Sequence, residues 1–517
     1  MTNLADYVRK AAVTRPGHPA LIELDRVLTW LDVDRSVDSI AAGLRSLGLT
    51  TGERIGLIVG NHVEFVTTYF AALRAGLVVV PLNPAYTESE LEHALTDAGA
   101  TGVIADESVL DRIRPFAARV RAKVVVTNGS AGTGERALAD VSMAGRAFGA
   151  IVEDTDPEQL AVVLYTSGTS GRPKGAMLTH RAMRASIEQV AQVEPPVVAA
   201  DDILLVVLPL FHVYSLNGTL GGWARVGATA VLAQRFDSEE TLSLIATYGV
   251  TNIPAAPPVW QAWAERDDLN RRLLGVRLMF SGAAPLPAAV LEKIKKSCGV
   301  PLYEGYGLTE AAPGVTSTIV GGRPKAGSIG RPFPGVELRL LDEDGDEVDD
   351  GDPGEISIRG ANLFSGYWPD GDGGPDDDGW FATGDVAYAD DDGDLVLVDR
   401  RKELVLVNGF NVYPREVEEA LHSVSGVAEA AVVGVPDQRT GEAVKAYVVV
   451  SDPSLTVEQI ADQAALTLAR FKRPTVIEVV TELPHSVTGK VAKGRLRGEG
   501  DGQAADAAPS GSDPGPS

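Results

Sequence analysis

The feature that most restricts this chain is residues 160–175, LAVVLYTSGTSGRPKG. The first six are short, apolar and β-branched enough to form a buried strand, and the glycines begin where that strand stops. Gly168, Gly171 and Gly175 permit close backbone approach and positive φ, so that successive amide N–H groups converge on an anion. Thr166, Ser167, Thr169 and Ser170 add neutral donors, and Lys174 adds a mobile positive charge suited to a polyphosphate. The order differs from a Walker A loop, because Lys174 is followed by Gly175 rather than by Ser or Thr. Glycine and serine alone would read as a flexible surface loop. The lysine-containing block reads as a phosphate site.

A chain of 517 residues exceeds one ordinary domain, and 44% hydrophobic with 23% charged residues supplies ample core-forming material. Two or more domains are expected. No stretch approaches the roughly 20 apolar residues that span a bilayer; residues 203–211 come nearest, at about half that length. Asp6 and Arg9 stand where a signal peptide would be apolar, and the lone Cys298 excludes an intrachain disulfide framework and a cysteine-rich metal site. The expectation is a cytoplasmic protein without an integral membrane segment. With 46 basic against 71 acidic residues, formally -25, binding to nucleic acid or to an anionic membrane face is disfavoured.

Much of the acid lies in residues 342–352, 370–378 and 390–394. An EF-hand loop wants glycine sixth and glutamate twelfth, but counting from Asp342 those places hold Glu347 and Pro353, and from Asp390 the sixth is Leu395. The runs read instead as hairpin turns between short strands at 336–341, 355–359 and 395–398.

Residues 1–155 alternate helical and strand patterns: a helix at 36–47, a strand at 54–59, a helix at 63–75 and a strand at 77–81. They imply a parallel α/β layer. Thr87 is a helix N-cap with Glu90 as its partner. Further on come a helix at 181–193 and a strand at 203–208 leading into PLFHVY, which sets His212 just past a strand end, where α/β proteins place ligand contacts. A packed partner for Phe211 and Tyr214 is an equal reading of that histidine. Residues 249–260 and 277–286 supply two more strand-to-loop transitions, the second ending in small residues that leave room for a flat ligand. In 301–310, PLYEGYGLTE, Tyr306 is placed to stack on a purine, Thr309 to meet a phosphate oxygen and Glu310 to hold a magnesium ion. An ordinary glycine turn with a core tyrosine fits as well.

Residues 378–385, DGWFATGD, put Asp385 where it would accept ribose hydroxyls, although a turn aspartate is the plainer reading. Residues 399–414, DRRKELVLVNGFNVYP, look like a domain junction. Beyond it, helices at 415–421 and 456–468 with strands at 428–435, 443–450 and 475–480 make a small α+β unit. Lys490 follows a glycine turn in LPHSVTGK and is able to project from its loop. Residues 498–517, from a compositionally biased stretch beginning at 500, are expected to be disordered.

In this order, YTSGTSGRPKG, PLFHVY, YEGYGLTE, DGWFATGD, DRRKELVLVNGFNVYP and LPHSVTGK resemble the adenylate-forming (AMP-binding) family of acyl-CoA synthetases, firefly luciferase and peptide-synthetase adenylation domains, from about residue 15 to 497. The resemblance implies an α/β fold: a large N-terminal domain of stacked α/β layers with a small β-barrel-like part (1–399), and a small mobile α+β C-terminal domain (400–497). Thr166 to Lys174 would hold the β- and γ-phosphates. Glu304, Gly305, Tyr306 and Gly307, with Ala283 and Ala284, would line the adenine pocket. Thr309 would meet the α-phosphate, Glu310 would bind Mg2+, Asp385 and Arg400 the ribose, and Lys490 would be the catalytic lysine. The small domain would swivel about Lys402, exchanging Lys490 for the face of Gly409 and Phe410 that admits CoA. Asn408 and Asp399 depart from glycines common in the family.

The implied reaction attacks the α-phosphorus of ATP with a carboxylate, then the acyl-adenylate with the thiol of CoA. The acid would meet His212, Val213, Tyr214, Gly282 and Ala283, among which no acidic residue stands to receive an α-amino group. A medium- or long-chain fatty acid is the expected substrate; an aryl acid, an acyl carrier protein as acceptor and a non-catalytic nucleotide sensor are the alternatives. Monomer and homodimer both remain open.

Overall fold

The computed structural model describes residues 2–497 except 121, 128–129, 150, 152–154, 167–172, 350, 401–402, 408–409, 438 and 486–490. Among these residues the strands form sheets of seven, thirteen and five, and the chain divides into two compact units between Leu397 and Val398.

In the first unit, the seven-stranded sheet runs Arg136–Ala137, Lys123–Val126, Gly102–Ala105, Arg54–Ile58, Val78–Pro81 and Leu160–Thr166 in parallel, and closes on Lys174–Thr179 in an antiparallel pair. The strands Val78–Pro81 and Gly102–Ala105 are buried at every position, as parallel strands covered on both faces must be. In the thirteen-stranded sheet, Pro19–Glu23, Thr229–Leu232, Ile203–Val206, Asn252–Ala255, Leu278–Ser281 and Leu302–Gly307 run parallel. From Leu302–Gly307 the order continues through Gly314–Ser317, Ser328–Pro332, Leu395–Arg400, Phe381–Ala389, Gly354–Gly360 and Val336–Leu341. This second half contains the short strands expected between acidic turns. Asp342, Asp376 and Asp390 each accept two amides of their own turn. The carboxylates of Asp390, Asp392 and Asp394 cluster, and Lys325 Nζ sits among them at 2.6, 2.7 and 3.4 Å.

Helix Val63–Arg74 is buried at every residue except Glu64, so it is covered nearly all round rather than along one stripe. Its Phe70 lies against Trp223, which stacks on Trp30 at 4.3 Å. Arg74 ends it inside the protein, where Asp34 and Asp38 neutralise the guanidinium, each at 2.7 Å. The helix expected at 36–47 spans Trp30–Ser46: Thr29 and Asp32 form a capping box, and burial of Trp30 draws the first turn into the core. The Thr87 and Glu90 capping box forms as expected. No helix among the described residues is long and apolar enough to cross a membrane.

His180 opens helix His180–Val190 and is fully buried; its Nδ1 accepts the Leu4 amide at 3.1 Å, which fixes the amino-terminal segment. Accepting that bond requires a neutral ring, and burial followed by the nearby Arg184 charge lowers its pKa to about 4. Because the folded value lies below the ordinary one near 6.5, this contribution is complete above pH 6.5 and is lost as pH falls toward 4. We expect stability to fall over that window by up to about 1.4 kcal/mol per pH unit from this group. Urea denaturation of His180→Asn, which keeps an acceptor but does not titrate, should show a shallower acid slope than the parent.

The second unit is built on Val427–Asp437 and Gly441–Val450, a long antiparallel pair, with Val405–Val407, Phe410–Val412 and Val476–Val479 alongside. Helices Pro414–His422 and Val457–Ala464 contribute Val417, Leu421 and Ile460 to its core. The second helix stops at Ala464 instead of running to residue 468. Lys493 is nearly buried between Glu403 and Glu418, at 3.1 and 2.8 Å.

Candidate active site

Four parallel strands, Ile203–Val206, Asn252–Ala255, Leu278–Ser281 and Leu302–Gly307, deliver their carboxyl ends to one edge of the sheet, where open α/β sheets bind ligands. His212, Gly282 and Tyr306 all follow or end these strands. His212 is half-buried and its Nδ1 lies 3.4 Å from the Tyr214 amide. Val213 is buried, and the π-helical turn Tyr214–Thr219 begins immediately after it. The Tyr214 hydroxyl donates to the Phe280 carbonyl at 3.2 Å, and burial raises its pKa. Its ring lies against Gly282: a Cβ there would meet Tyr214 Cε1 at 3.2 Å and the Gly305 carbonyl at 3.6 Å. Ala283 then takes φ +73°, a conformation disfavoured for a residue with a Cβ and often kept at ligand sites. Ala284 beside it is half-buried.

Glu304 is buried and accepts the Leu286 amide at 3.1 Å, which fixes the loop carrying Ala283 and Ala284. Gly305 and Gly307 flank Tyr306 for reasons of space. A Cβ at Gly305 would lie 2.6 Å from the Phe280 ring, and one at Gly307 would lie 2.1 Å from the Pro313 carbonyl. The Tyr306 hydroxyl donates to Asp385 Oδ2 at 2.6 Å, so the two residues singled out 79 positions apart meet. Asp385 is 6% exposed and its amide is bonded to Thr383 Oγ1 at 3.2 Å.

Thr309 and Glu310 form a 3-10 turn with Ala311. Two buried side-chain amides pin the segment after it: Asn217 donates to Ala312 O at 2.7 Å, and Asn362 donates to Ala311 O at 2.9 Å and Gly314 O at 3.0 Å. Glu310 Oε1 accepts the Tyr367 hydroxyl at 2.6 Å. Lys174 Nζ stands over the ring of that same tyrosine, 5.2 Å from its centroid. Lys174 pairs with Thr166 across the hairpin, and Tyr165 turns away to donate to Asp97 at 2.5 Å.

Tyr367, Asn217 and Asn362 were not singled out from the sequence. Gly366 before Tyr367 is the one local signal, since it holds φ +88°. Ser167, Gly168, Thr169, Ser170, Gly171, Lys402, Gly409 and Lys490 lie outside the described residues, as does the side chain of Arg400. Phe410 belongs to the second unit, 58% exposed, with its ring 4.9 Å from that of Phe471.

Residues 8–368 match the AMP-binding enzyme family and residues 416–490 the AMP-binding enzyme C-terminal domain. The chain belongs to the AMP-binding enzyme family. It is 34% identical to a Long-chain-fatty-acid–CoA ligase of Yersinia pestis, over 96% of this chain and 94% of that protein. It is 35% identical to 4-coumarate–CoA ligase 5 of Oryza sativa subsp. japonica, again over 96% of this chain and 94% of the relative. Among solved structures, ATP-bound MatB from Rhodopseudomonas palustris is similar with TM-score 0.89 and 32% identity, covering 97% of this chain and 99% of that one.

Proposed function

We propose that this protein activates a carboxylic acid with ATP, releasing pyrophosphate and forming acyl-AMP, then passes the acyl group to the thiol of CoA and releases AMP. The observation that carries this reading is that Lys174 and Glu310 both contact Tyr367, the one at its ring and the other at its hydroxyl. A polyphosphate needs a cation and a carboxylate-held metal close together.

In this reading Thr166 to Gly171 and Lys174 take the β- and γ-phosphates, and Thr309 the α-phosphate. Ala283, Ala284, Glu304, Gly305, Tyr306 and Gly307 border the adenine, while Asp385 and Arg400 take the ribose. Glu310 fits a magnesium ion that arrives with ATP. Tyr367 donates to Glu310 Oε1, and the Glu310 carboxylate would hold the ion. Such an ion would neutralise phosphate charge. Lys490 supplies the cation of the first half-reaction, with Lys402 as hinge and Gly409 and Phe410 presented to CoA in the second. The protein's part is positioning and charge neutralisation, without a side-chain nucleophile.

The acid is a medium- or long-chain fatty acid, supported by relatives named for long-chain fatty acids. An aryl acid is the second reading, favoured by the flat wall that the Tyr214 ring makes beside Gly282 and by the coumarate-named relative. AMP release should be measured with straight-chain acids of increasing length and with hydroxycinnamic acids, using free CoA and a pantetheinylated acyl carrier protein. The greatest release is expected with straight-chain acids and CoA. Release limited to the carrier protein overturns the acceptor, and no AMP with any acid overturns the ligase.

A further inference from the structure

We infer that Tyr367 is a positioning residue for the nucleotide site, holding a cation and a carboxylate in register across it. The inference rests on the roles proposed above for Lys174 and Glu310. The phenol donates to Glu310 Oε1 at 2.6 Å, which orients the carboxylate. The ring's negative face lies under Lys174 Nζ at 5.2 Å. One side chain thus sets both charges.

The tyrosine is itself fixed from two directions. Trp368 N donates to Gly175 O at 2.7 Å, Met177 N to Gly366 O at 3.1 Å and Ser365 N to Met177 O at 2.9 Å, so residues 365–368 lie along the strand that carries Lys174. Phe364 N donates to Glu310 O at 2.9 Å, which ties the same segment to the turn of Thr309 and Glu310. The Phe364 ring meets the Tyr367 ring edge-on at 5.1 Å. This strip bridges the last strand of one sheet and a turn of the other, and Tyr367 is the residue on it that reaches both functional groups. Removing an outer partner of a metal-binding carboxylate weakens metal binding by about 10- to 100-fold.

The test compares equilibrium binding of ATP with Mg2+ and with EDTA, using the full chain. Tyr367→Phe keeps the ring and the main-chain clamp and loses the hydroxyl. It should bind metal-free ATP as the parent does while losing about tenfold of the gain that Mg2+ confers. Tyr367→Leu, which also loses the ring, should weaken metal-free ATP binding in addition. Glu310→Gln should abolish the Mg2+ gain, and adding Tyr367→Phe to it should change nothing further. A Tyr367→Phe protein with the parent's Mg2+ gain overturns the inference, whatever its activity. Thermal denaturation of each variant identifies a loss due to misfolding, which would lower both binding constants together. Failure of the parent to release AMP would sink the ligase reading and leave this binding test intact.

Discussion

Lys490→Ala is expected to reduce acyl-adenylate formation by at least about a hundredfold while leaving CoA thiolysis of supplied acyl-adenylate unchanged. The second half-reaction also places charge on the α-phosphate as AMP leaves, but only the first expels pyrophosphate, and charge grows on that group in the first half alone. A cation aimed there lowers one barrier and not the other. The residues bordering the loop are well anchored: Ala492 N donates to Pro484 O at 2.7 Å, and Lys493 is held by Glu403 and Glu418. Pyrophosphate exchange reads the first half and acyl-CoA formation from synthetic acyl-adenylate reads the second. Equal loss in both would count against an exchange of faces about Lys402.

Gly366→Ala should destabilise the first unit by about 3 kcal/mol or more, combining left-handed strain with overpacking. Gly366 holds φ +88°, and an added Cβ would lie 1.9 Å from the Gly371 carbonyl oxygen and 2.4 Å from its carbon. Those neighbours are backbone and cannot rotate away. Relief would come by moving residues 365–368 off the strand Lys174–Thr179, which would carry Tyr367 away from Glu310. The midpoint of the first urea transition and the affinity for MgATP should fall together. A midpoint within the error of the parent would show that the turn relaxes without cost.

Much of the site was legible because its signals are local. Glycines marked the segment around Tyr306, strand-to-loop junctions drew attention to His212 and Gly282, and Asp385, read as a turn aspartate after Thr383 and Gly384, lies inside the strand Phe381–Ala389. The meaning of the glycines was less legible. Gly305 and Gly307 read as turn residues, but they are required because Phe280 and the Pro313 carbonyl occupy the space beside them. The helix start at Trp30 was missed for a related reason: Thr29 and Asp32 are ordinary polar residues until the burial of Trp30 decides where the core begins.

What the amino-acid order determined by itself is the set of strand-to-loop junctions and the chemical groups they carry, since period, glycine and charge act over a few residues. Which groups meet was decided by the tertiary structure. Tyr306 reaches Asp385 because the strands bearing them belong to one sheet whose order is not that of the chain. Tyr367 reaches Glu310 and Lys174 because a strip of loop is hydrogen-bonded to a second sheet. Contacts of that kind arise from how distant apolar faces are buried together, and no local pattern records them.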